Sequence, residues 1–239
     1  MQIVESSVLG VRSARIELKS NGNPVEITLF PMIHIGESQF YEAVLRDAWS
    51  FDYVLVEGVK SPIVNALTRS YRWLESLKRL NLVLQSRYLG GDALSNFEGL
   101  RAHVVHADLE QQEFEQLWQK VPLWLRALAY VVPPAIGLHR RFFATRETMA
   151  SRLEFSYLTS RDEWLSYDEN LTLFHHAIRD ARDERLVARL LETVNLCGSE
   201  PSRIAVVYGA RHMRAVLKAL TGEHRYSVTG TSWMTVFKL

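Results

Sequence analysis

Hydrophobic and polar positions divide the chain into three zones. In the first, ARIELKSNGNPVEITLF carries apolar residues at alternate positions on both sides of Asn21-Gly22, the period of a half-buried strand. The pattern predicts strands over about Ala14–Leu18 and Val25–Phe30, joined where Asn21-Gly22 supplies the positive φ angles of a tight hairpin turn. GESQFYEAVLRDAWS changes period: Phe40, Val44 and Ala48 share one helical face, flanked by Tyr41 and Leu45. FDYVLVEG is apolar nearly throughout, as in a strand buried on both faces. Strand, helix and strand in this order imply a βαβ crossover.

The second zone has helical spacing. SPIVNALTRSYRWLESLKRLNLVLQSRYL opens with Ser61 before Pro62, a good helix entry. A short strand is predicted near Ala102–Asp108. Helical patterns then run to about Val194, with Ser160 and Glu163 as a capping box at the start of the last long helix. VPLWLRALAYVVPPAIGL (Val121–Leu138) is the most membrane-like stretch, but Arg126 and Pro133-Pro134 make it a poor spanning helix. It reads first as a helical hairpin packed on the core. The other readings are a lid, a homodimer surface or peripheral membrane contact. In the third zone RIAVVYG is a buried strand, ARHMRAVLKALTG a helix, and YSVTGTSWMTVF alternates as a hairpin turning at Gly230.

The two ends resemble each other. ITLFPMIH and AVVYGARH each run through an apolar strand, an aromatic residue, Pro31 or Gly209, two more residues and a histidine, before a helix. This suggests an internal duplication of a β-hairpin-plus-helix unit around a helical insertion. The expected fold class is therefore α/β: a central mixed β-sheet from two related halves, about 1–60 and 200–239. A mainly helical insertion over 61–199, with one short strand, lies between them in a single domain.

Composition narrows the function classes. The chain has 239 residues, 47% hydrophobic and 23% charged, with a formal net charge of +1. With that balance no global electrostatic field argues for an anionic membrane, and nucleic acid is not expected as a partner. Cys197 is the single cysteine, which excludes a disulfide framework and a Cys-based zinc site and suits a reducing compartment, the cytoplasm. MQIVESSVLGVRSARIEL lacks the basic and apolar regions of a signal peptide. There is no Gly-x-Ser-x-Gly elbow, no Gly-x-Gly-x-x-Gly and no Walker loop.

Candidate chemistry lies at strand ends. In an open α/β sheet, ligands bind beyond the carboxyl ends of the strands. Four predicted strands lead to His34, Glu57, Asp108 and, through Gly209, His212. Aligned in one sheet, these ends would bring two histidines and two carboxylates to one edge. That donor set suits Zn, Mn or Co with room for water, and Glu37 is placed to be the base. A cap or a satisfied polar residue is the simpler account of any one of them. The repetition of His after a strand, with Glu57 at a buried strand end, raises the set. HHAIRDARDERLVARL places His175, Arg179, Arg182 and Asp183 on one helical face beside Phe174, Ile178 and Ala181. Most of those charges read as a solvated face, with Arg182 able to hold a substrate carbonyl or oxyanion.

Together, PMIH, VLVEG, VVHADL, ARDERL and GARH resemble the TraB/PrgY/GumN/TIKI superfamily, distantly related to erythromycin-esterase-like and ChaN-like proteins. The resemblance runs from about Ala14 to Phe237, and the helical middle matches only in kind. It implies a two-halved α/β fold and, by the TIKI branch, a metal-dependent protease. By the PrgY branch it implies a protein that blocks or degrades a peptide pheromone (pheromone shutdown). Carried over by position, it implies His34, His212, Glu57 and Asp108 as metal ligands. Glu57 and Arg182 become catalytic groups, and Arg182, Asp183 and Gly209 line the substrate; Arg211, beside His212, is expected to contact the substrate on its own account. Pro31 and Arg211 depart from the family pattern. The expected function is thus a metal-dependent, peptidase-like hydrolase acting on a peptide or protein segment. The alternative is a non-catalytic peptide- or ligand-binding regulatory protein.

Overall fold

Asn21-Gly22 forms the predicted connection in the computed structural model, which describes residues 2–58, 61–64, 80–89, 102–157 and 169–239. It joins β2 (Gly10–Ser20) to β3 (Asn23–Met32), with Ser20 opposite Asn23. Neither loop residue takes a left-handed φ. A register shift between Leu18 and Ser20 accompanies the turn instead, as a bulge can where the strand twist needs adjusting.

The predicted βαβ crossover follows. Helix α1 (Ser38–Ala48) buries Phe40, Tyr41, Val44, Leu45 and Ala48, the face its spacing marked, and leads to β5 (Tyr53–Val56). The main sheet has the order β1-β2-β3-β8-β5-β7, where β1 is Val4–Ser7, β7 His103–His106 and β8 Arg203–Gly209. β3, β8, β5 and β7 run parallel, while β1, β3 and β9 (Tyr226–Lys238) meet β2 antiparallel. The architecture is mixed α/β. Central β8 is fully buried from Ile204 to Tyr208, which accounts for its unbroken apolar run.

Pro31 lies inside this sheet without harm. The β2–β3 register runs only to Ile16–Leu29, because β2 then diverges to pair with β1. The Pro31 carbonyl instead accepts the buried Ser13 Oγ at 2.5 Å. Pro is tolerated where no ladder N–H is needed.

The third zone differs from expectation in one element. There is no hairpin at Gly230: β9 is one strand paired with β2 from Tyr226 to Lys238. Gly230 sits opposite Glu17 at a register shift, and a Cβ there would lie 2.8 Å from Glu17 Oε2. The glycine permits a close approach, not a turn. Helix α8 (Met213–Gly222) links β8 to β9. Both halves therefore contain strand, histidine and helix, but the antiparallel strand precedes the unit in the first (β2) and follows it in the second (β9). The repeats are also offset: Pro31 pairs with Tyr208 and Met32 with Gly209.

Two compact units make up the chain. One comprises Met1–Gly58, Val83–Asp108 and Asp183–Leu239; the other comprises Val59–Leu82 and Leu109–Arg182. The first includes β4 (Ile35–Gly36) paired with β6 (Val83–Leu84), and α2 (Ser86–Leu89). The second unit's core gathers Leu109, Phe114, Trp118, Val121, Leu125, Ala177 and Ala181, with Phe174 and Ile178 packed against it. Its helices include α3 (Gln111–Lys120), α4 (Leu123–Phe143), α5 (Arg146–Tyr157) and α6 (Glu169–His175). The capping box expected at Ser160 and Glu163 falls outside the described residues.

Two expectations are corrected in this unit. Val121–Leu138 forms no hairpin: α4 is one helix containing Pro133 and Pro134. Each proline removes a helical N–H donor, but the helix is exposed there, so the carbonyls left unpaired can meet water. The long C-terminal helical run is also uneven. A π-helical turn (His176–Asp180) separates α6 from α7 (Ala181–Cys197), and the Ala181 N–H bonds back to His176 O. The wider turn advances the following residues by about one position, roughly 100°. His175, Arg179, Arg182 and Asp183 therefore do not keep the single straight-helix face their spacing implied.

Tyr41 anchors the segment that carries His34. Its buried hydroxyl donates to Ile33 O at 2.8 Å. Tyr41→Phe is expected to cost about 1–3 kcal/mol, because a core carbonyl loses its donor. Denaturant unfolding at constant m-value checks this.

Candidate active site at the carboxyl edge of the parallel strands

Register brings the strand ends together. Met32 pairs with Gly209, Val56 with Val207, and Val56 with His106. Glu57, Asp108 and the Gly209 turn therefore leave the sheet at one edge, as the strand-end reading requires. Side chains continue the pairing where the ladders stop. Glu57 Oε2 accepts the Gly209 N–H at 2.8 Å, and Asp108 Oδ2 accepts the Gly58 N–H at 3.1 Å.

Gly209 is required here for space. Its φ is not left-handed. A Cβ at this position would sit 3.0 Å from Glu57 Oε2 and 3.3 Å from His212 Cδ2. The carboxylate and the imidazole thus flank one point, and the ring atom nearest to it is Cδ2. Gly209→Ala is expected to push these groups apart, destabilising the protein by about 1–3 kcal/mol while retaining the fold. Circular dichroism and thermal unfolding check both parts.

The turn after β8 fixes His212. Its N–H donates to Gly209 O at 2.9 Å, and the Ala210 N–H donates to Met32 O at 2.9 Å. The buried ring stands edge-on to Tyr208, with centroids 5.0 Å apart. Nδ1 lies 2.6 Å from Asp183 Oδ1, and the two side chains are only 9% and 19% exposed. A carboxylate this close fixes both ring orientation and tautomer: Nδ1–H donates, leaving Nε2 as the acceptor. Asp183 is therefore a partner of His212, where the sequence placed it among substrate contacts.

The other candidates lie as follows. His34 is exposed; its Nδ1 is 3.0 Å from Gln85 Oε1, and its carbonyl accepts the Gln85 N–H at 2.9 Å. In the same segment, burial and then the nearby Glu42 push the Tyr88 phenol up from its ordinary range. Glu37 precedes α1, bonds Val236 O through its N–H, and accepts the Lys238 N–H at 3.5 Å. Arg211 is exposed beside His212. Arg182 is half-buried and belongs to the second unit. Among the described residues, no group of three or more His, Cys, Asp or Glu side chains is arranged to hold a metal ion. What comes together is a smaller set: His212 with Asp183, and Glu57 across Gly209.

Sequence reading missed Gln85 and the positioning role of Asp183. Gln85 had no signal, since it lies 51 residues from His34 in the chain. Asp183 had one, in the ARDERL segment, but the π turn hid its direction. Comparison of the chain with family models, with curated proteins and with solved structures finds no match.

Proposed function

We propose that this protein is a hydrolase, peptidase-like, whose reaction centre is His212 oriented by Asp183, with Glu57 across Gly209. The observation that carries the proposal is the part-buried 2.6 Å contact between His212 Nδ1 and Asp183 Oδ1 at the carboxyl edge of the sheet. A histidine held in this tautomer presents Nε2 as a general base. In the proposed step, Nε2 takes a proton from water as the water oxygen bonds to the substrate carbonyl carbon. The same proton passes to the departing amine as the C–N bond breaks. Asp183 stabilises the imidazolium formed between these events. Glu57, its Oε2 fixed by the Gly209 N–H, orients the water. His212 is also the N-cap residue of α8, whose N-terminal dipole favours negative charge developing nearby.

The resemblance to the TraB/PrgY/GumN/TIKI superfamily supports a peptide or protein segment as substrate. A metal there would be offered His212 Nε2 and the Glu57 carboxylate and would supply Lewis-acid activation of water, though such sites use three or more protein ligands. The single Cys197 supports the cytoplasm as the compartment.

The test is incubation with a mixed peptide library, followed by mass spectrometry. The expected result is cleavage by the wild type, with rates reduced about 10²-fold or more in Glu57→Gln. Peptides retained by the protein and recovered intact would favour the regulatory, sequestering alternative.

A further inference from the structure

We propose that helix α4 docks the protein onto the surface of an anionic lipid bilayer, lying in the interface and not crossing it. The second unit's core holds only the start of this helix, through Leu125, Ala129 and the edge contact of Tyr130 with Trp118. Beyond Tyr130 the large apolar side chains stay exposed to solvent in good part: Val131 is 65% exposed, Phe142 62% and Phe143 68%, and Trp124 at the other end is 57% exposed. An apolar helix of 21 residues is about 32 Å long. So large a contiguous apolar surface marks a docking face.

Charge selects the occupant. Along α4 the sequence carries Arg126, Arg140 and Arg141 with no Asp or Glu, and Lys120 precedes it. A second copy of α4 would bring Arg126, Arg140 and Arg141 against the same three, and α4 carries no Asp or Glu to offset them. An anionic headgroup layer offsets them, while the acyl boundary takes Trp124, Val131, Phe142 and Phe143. Neighbouring cationic and aromatic residues are the composition of interfacial helices. Among the described residues no single helix is long and apolar enough to cross a membrane; α3 and Leu123–His139 meet that test only as a pair bent by 113°. Pro133-Pro134 further disfavours a span, where unpaired carbonyls would face hydrocarbon.

The experiment is flotation of the full chain with vesicles of phosphatidylcholine, alone or mixed with phosphatidylglycerol. The expected result is partition at least roughly tenfold stronger onto the mixed vesicles, weakened by salt. Lys120→Gln weakens it roughly fivefold. Val131→Ser with Phe142→Ser, both at exposed positions, abolishes it without altering the far-ultraviolet circular dichroism. Recovery of the wild type only in the soluble fraction would overturn the proposal, as would equal flotation on neutral vesicles. Self-association lost in the serine pair, without vesicle binding, would overturn it in favour of a second copy.

Discussion

Asp183→Asn is expected to lower kcat about 10³- to 10⁴-fold on any peptide the protein cleaves, with KM little changed. Asparagine has nearly the shape of aspartate, so His212 remains packed edge-on to Tyr208. Its amide carries no charge to stabilise the imidazolium that forms as water is deprotonated. Turned the other way, its NH₂ donates to Nδ1 and places the ring proton on Nε2, where a base needs a lone pair. Nitrogen-15 spectra of the imidazole distinguish these tautomers without any substrate. In the wild type the ring proton is expected on Nδ1. Because Asp183 acts through His212, the double change Asp183→Asn, His212→Ala should be no slower than His212→Ala alone. An additive loss would show that Asp183 works independently.

Gly10→Ala is the substitution expected to destabilise the fold most. Gly10 closes the turn between β1 and β2 and also faces Lys238 across the β2–β9 ladder. Its φ is +132°, a region that side-chain-bearing residues rarely enter. An added Cβ would lie 2.2 Å from Phe237 O and 2.9 Å from Lys238 Cα. Both obstacles are backbone, so no rotamer change relieves them. Strain and overpacking together are expected to cost about 3 kcal/mol or more. For a chain of this length that lowers Tm by roughly 6–12 °C. Gly22→Ala is the control. Nothing lies within 4 Å of its Cβ position and its φ is ordinary, so stability should change by less than about 1 kcal/mol.

The parts legible in the sequence were those that local pattern decides. The alternation around Asn21-Gly22, the buried face of α1 and the apolar run of β8 all appear where periodicity puts them, because each buries side chains against one sheet. Glu57, Asp108 and the Gly209 turn were legible as strand ends for the same reason: parallel strands leave a sheet at one edge. Pairing was harder to read. Gly230 looked like a turn because glycine serves turns and close approaches alike, and only the presence of β2 alongside decides between them. Pro133-Pro134 looked like a break for the opposite reason: an exposed helix can lose two bonds to solvent and continue. The His212–Asp183 contact joins side chains 29 residues apart, across a helix end that the π turn rotates. His34 resembles His212 in sequence, yet the repeats pair one residue out of register and His34 ends exposed beside Gln85.

The most direct test is cleavage of a single peptide in ¹⁸O-labelled water by the wild type and by His212→Ala, followed by mass spectrometry of the products. A hydrolase that activates water at His212 puts ¹⁸O into the new carboxylate in the wild type. His212→Ala then slows the cleavage by about 10⁴-fold or more. Equal rates in the two proteins, or a peptide bound by both and returned uncut and unlabelled, would contradict it.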